Sequence, residues 1–126
     1  MFFAVFDFGG DASHVTSVVG LTPSKSWRKG ERFSERGGVH THDRWVFSSP
    51  APAGAEPEEK LVELVGALEE VAPGVRSAAE QFSAGILCAM YTEQPNPGLH
   101  LSAEILEQIA ALKLSFDLDT YALGEE

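Results

Sequence analysis

His40-Thr41-His42-Asp43 is the stretch whose residue types could most readily do chemistry. On an extended segment His40 and His42 point to the same face. They could share a Zn²⁺ ion there, with a third ligand from His14, His100 or a carboxylate. Two histidines two residues apart are a weak metal signature, and no HExxH or CxxC pattern accompanies them. Histidines in a polar surface loop are the commoner arrangement, so neither a metal nor a cofactor is assigned. Asp117 and Asp119 would share the outer face of the last strand and could form an acid/base pair. Exposed alternation explains them at least as well, because charge on an edge strand discourages edge-to-edge pairing. The chain has no Gly-x-Ser-x-Gly elbow, P-loop or dinucleotide fingerprint, and Gly9-Gly10-Asp11 is too short to cradle a phosphate.

Charge is distributed unevenly. The formal net charge is −10, yet residues 24–44 carry Lys25, Arg28, Lys29, Arg32, Arg36 and Arg44 against Glu31, Glu35 and Asp43. That island is +3, which leaves −13 on the rest of the chain. Trp27, Trp45, His40 and His42 lie within or beside it. Arginine with tryptophan anchors interfaces and binds anions. The blander reading is a solvated loop that balances an acidic body. A pI near 4.7 repels polyanions beyond about one Debye length, so nucleic acid is a poor fit. An acidic protein partner or a small anionic ligand remains compatible with the island.

The single cysteine, Cys88, lies in the apolar run from Ile86 to Tyr91 and cannot form an internal disulfide. With no basic neighbour in sequence, it reads as a buried, inert thiol that suits a reducing compartment. The apolar start Met1–Phe6 has no basic n-region and no cleavage site, and no stretch approaches the ~20 apolar residues of a membrane span. A cytoplasmic protein without membrane contact is expected. The length of 126 residues predicts one domain over 1–126.

The elements that must position these groups follow from periodicity and punctuation. Met1–Phe8 reads as a strand buried on both faces, ended by Gly9-Gly10. Asp11 or Ser13 would cap a helix bearing Val15, Val18 and Val19, with Gly20 as its stop. Residues 24–44 read as a long loop or loose hairpin, and Arg44–Ser48 as a strand. Trp45, followed by Val46 and Phe47, is expected to anchor the core. Pro57 opens a helix with a buried stripe of Leu61, Leu64, Val65, Leu68 and Ala72. Pro73-Gly74 would stop that helix, with a shorter one over Val75–Phe82. Ala84–Thr92 reads as a central strand and 93–98 as a turn cluster. Ser102 would cap a helix with Ile105, Leu106, Ile109 and Leu112 on one face. The last strand would point Leu114, Phe116 and Leu118 inward, and Ser115, Asp117 and Asp119 outward. Together these predict an α+β two-layer sandwich, with helices on one face of a mostly antiparallel sheet. The strand order is not readable.

Three stretches, in their order and spacing, resemble one family. They are Val19-Gly20-Leu21-Thr22-Pro23-Ser24-Lys25-Ser26-Trp27-Arg28-Lys29-Gly30, then Arg44-Trp45 with Ser48-Ser49, and finally Leu99-His100-Leu101-Ser102 running on to Phe116-Asp117-Leu118-Asp119-Thr120-Tyr121. The chain is similar to the bacterial domain-of-unknown-function family four-two-seven-nine. The resemblance implies a small bacterial protein and carries over no reaction, cofactor or catalytic residue. The segment Ser34–Asp43 lies outside it. The function expected is therefore a non-enzymatic binding or interaction protein, immunity-like in size and charge. Its candidate contact residues are Trp27, Arg28, Lys29, Arg32, His40 and His42. The alternative is a metal-dependent hydrolase built on the His40/His42 segment.

Overall fold

A computed structural model describes residues 1–32, 38–92 and 98–122. The elements follow in the order β1 (Phe2–Phe6), α1 (Ala12–Val19), β2 (Lys25–Trp27), β3 (Arg44–Ser48), α2 (Pro57–Glu69), α3 (Ala72–Gln81), β4 (Ser83–Thr92), α4 (Ala103–Ala111) and β5 (Ser115–Ala122). The sheet order is β2-β3-β1-β4-β5. Every pairing is antiparallel except β4–β5, where α4 supplies the crossover that a parallel pair requires. The α+β sandwich expected from the sequence is the fold observed.

Local chemistry sets the helix ends. The Asp11 carboxylate accepts from the His14 N–H at 3.3 Å, which decides between the two candidate caps of α1. Gly20 closes that helix at φ 89°, a left-handed conformation in which a side chain would be strained. Ser102 Oγ accepts from the Ile105 N–H at 3.1 Å and starts α4 as expected. Pro73-Gly74 acts differently from the expectation. These residues fall in the first turn of α3, so they begin a helix rather than end one, and Ala72 belongs to α3. Proline is well tolerated there because its missing N–H has no intrahelical partner to lose. The glycine is required by packing, since a Cβ at Gly74 would collide with the carbonyl oxygens of Val18 and Val19 at the end of α1.

The four helices cover one face of the sheet. Phe3 and Val5 of β1, Trp45 of β3 and Ile86 of β4 form a single buried cluster with Val15, Leu61, Leu64, Leu68, Val75 and Ile109 of the helices. Each such side chain contributes roughly 1.5–3 kcal/mol by leaving water. The alternating residues of the same strands stand on the opposite face, and none belongs to that cluster. Phe2 and Phe6 are consequently only half-buried, which corrects the expectation of a strand buried on both sides.

Two further expectations change. Leu106 of α4 is 50% exposed and Leu118 of β5 is 43% exposed. Helix α4 buries Ile105 and Ile109 instead. Phe116 packs on the core, but the chain beyond it runs past the helical layer. The turn cluster at 93–97, like Glu35 and Arg36, lies outside the described residues.

Candidate functional site

The described residues of 24–44 are arranged as the two arms of a hairpin. Lys25, Ser26 and Trp27 pair with Val46, Trp45 and Arg44, and an isolated bridge joins Arg32 to Val39 farther out. Between these, the Gly30 N–H donates to the His40 carbonyl and the His40 N–H donates to the Glu31 carbonyl, each at 2.8 Å. Two acids of the island, Glu31 and Asp43, hold this backbone. The Glu31 carboxylate accepts from the Arg28 N–H at 3.0 Å, and the Asp43 carboxylate accepts from the Lys29 N–H at 2.8 Å. The exposed side chains of Arg28 and Lys29 are in neither of the ion pairs formed among the described residues, His42–Asp7 and Lys113–Glu80. Arg28 and Lys29 border an open depression of about 550 Å³, together with Gly9, Gly10, Asp11 and Asp43.

Trp27 gathers a second group. His40 stacks on its ring at 4.7 Å and 30°, and the Arg44 guanidinium and Lys25 ammonium lie 5.2 and 5.7 Å from the indole centroid. Arg44 also lies over Phe2 at 5.6 Å and Phe6 at 5.4 Å. Ala4, between those two rings on β1, is fully buried although no helix covers it. The Arg44 Nε is itself buried without a hydrogen-bond partner. Desolvation lowers the Arg44 pKa from its ordinary value, while the aromatic faces replace part of the lost hydration with cation–π attraction.

The structure therefore brings Trp27 together with His40, sets Arg28 beside Lys29, and gives His42 a different partner. The His42 Nδ1 lies 3.0 Å from the Asp7 carboxylate, at the end of β1. Among the described residues no group of three or more His, Cys, Asp or Glu side chains is placed to hold a metal ion. Asp117 and Asp119 stand on β5, the edge of the sheet opposite β2, so they do not join the histidines. Sequence reasoning counted Arg44 as one charge of the island and missed its aromatic seat. That seat depends on the register Phe6↔Arg44↔Trp27 between segments far apart in the chain.

The class defined by this geometry is a two-layer α+β domain whose sheet has one open face and a basic hairpin at one edge. Residues 1–123 match the family described as "domain of unknown function (DUF4279)", and the chain belongs to that family. No curated protein and no solved structure matches it. Among the described residues no helix is long and apolar enough to cross a membrane.

Proposed function

We propose that this chain is a non-enzymatic interaction protein, immunity-like in size and charge, that docks an acidic protein partner through the β2–β3 hairpin in a reducing, cytoplasmic setting. The observation that carries this reading is the use of two of the hairpin's acids. Glu31 and Asp43 accept from backbone N–H groups, while the Arg28 and Lys29 side chains stay exposed beside an open depression. On a chain of net charge −10, such a patch is complementary to an acidic surface over short range and steers its approach.

The test is capture from the source organism with the wild-type chain and with Arg28→Glu/Lys29→Glu. A specific partner held by the wild type at moderate salt and lost by the folded double variant supports the reading. A partner retained equally by both, or binding only to inorganic phosphate or other small anions, overturns it.

A further inference from the structure

The sheet face without helices has a charge pattern of its own, separate from the Arg28/Lys29 depression. Register places Lys25, Arg44, Phe2, Phe6, Leu87 and Asp117 on this face, with Asp119, Tyr91 and Tyr121 farther along the β4–β5 pair. A depression of about 300 Å³ on it is lined by sheet residues alone, among them Phe2, Arg44, Leu87 and Tyr121. Tyr91 and Tyr121 stack on each other at 4.9 Å and remain 64% and 47% exposed. Aromatic residues and arginine on a face that no described helix covers are residue types enriched at interfaces.

We propose that this face is the contact between two copies of the chain, related by a two-fold axis parallel to the strands. β1 is the middle strand of five. Rotation about an axis along β1 lays β2 of one copy over β5 of the other, β3 over β4, and β1 over β1. The cations Lys25 and Arg44 stand on β2 and β3, and the carboxylates Asp117 and Asp119 on β5. That axis therefore sets β2, with Lys25, against β5 of the other copy, with Asp117 and Asp119, while Arg44 on β3 faces β4. Lys25 lies in line, across the sheet, with Ser115, so Asp117 of the second copy comes about 7 Å along the strand from it, within reach of a lysine side chain. A two-fold axis perpendicular to the strands would instead lay β2 on β2 and β5 on β5, the strand that carries Lys25 on itself and the strand that carries Asp117 and Asp119 on itself. Charge thus selects one symmetric arrangement, and the face is complementary to itself as an isologous dimer requires. Strands facing in this way match the aligned class of sheet-on-sheet packing, about 10 Å apart. In projection the two faces bury on the order of 1,000 Å², at the lower bound for a specific interface.

Sedimentation of the full chain at near-physiological ionic strength, over a wide range of concentration, tests this. The wild type should form dimers. Lys25→Glu or Asp117→Lys alone should raise the dimer dissociation constant about tenfold or more, and the combined Lys25→Glu/Asp117→Lys variant should recover it. Both positions are exposed, so circular dichroism should show each variant folded. A wild type that stays monomeric throughout overturns the proposal, whether or not the hairpin captures a partner. So does a dimer indifferent to single reversal, or one that the double reversal fails to restore.

Discussion

The indole N–H of Trp45 donates to Thr16 Oγ1 at 3.1 Å and ties β3 to α1 from within the core. The same indole meets Phe3 edge-to-face, with ring centroids 5.8 Å apart, and is fully buried. Trp45→Ala should therefore cost about 3–5 kcal/mol in denaturant unfolding. Thr16→Val leaves the indole N–H without its acceptor and should cost about 1–3 kcal/mol. The two losses should fall short of additive in the double variant, because both remove one hydrogen bond. Additive losses would show that the bond contributes nothing.

Gly74 sets the approach of α1 to α3. Helix propensity alone would make Gly74→Ala stabilising by roughly 1 kcal/mol. The collision with the Val18 and Val19 carbonyls is with backbone, which cannot rotate aside, and overpacking of this kind costs about 1–3 kcal/mol or more. A net loss of stability is expected. A variant as stable as the wild type would mean that the helices part at no cost.

Glu58 holds the segment before α4 by accepting from the His100 N–H at 2.9 Å. That bond, followed by one from its own backbone N–H, lowers the pKa of this exposed carboxyl. Since the folded value is depressed, the contribution is complete above the ordinary glutamate range and fades as the pH falls below about 4.3. Carbon-detected NMR titration should place its midpoint below that range. Glu58→Gln should weaken the acid dependence of melting. A midpoint at or above the ordinary range would contradict the bond.

Cys88 is 4% exposed, and burial pushes its thiol pKa up, the nearby amino groups opposing only in part. A raised pKa starves the site of thiolate, so an aromatic disulfide reagent should label the native protein far more slowly than the unfolded chain. Equal rates would contradict this. Labelling of both should speed up with rising pH.

What the sequence made legible was mostly local. Asp11, Gly20, Pro57 and Ser102 mark helix ends by hydrogen bonding and backbone preference within a few residues, and all four serve as expected. Pro73-Gly74 was ambiguous because proline is compatible with the start of one helix and the end of another. The α+β class followed from interleaved periods. Leu106 and Leu118 misled because apolar spacing does not reveal how far the opposing layer extends. In the candidate site, the clustering of charge was visible in the sequence. The stacking of His40 on Trp27 and the seat of Arg44 over Phe2 and Phe6 were not, because they depend on strand register.

The position of β1 has a consequence for the order of assembly. It leaves the ribosome before β3 and β4, the strands on either side of it, and β4 lies beyond two further helices in the chain. Until they emerge, Phe2, Phe3, Val5 and Phe6 belong to an unpaired aromatic segment with two free edges. Contacts this distant in sequence slow folding and leave such a segment open to wrong partners. Exposure of this segment during synthesis therefore ends only when β4 closes the second edge of β1.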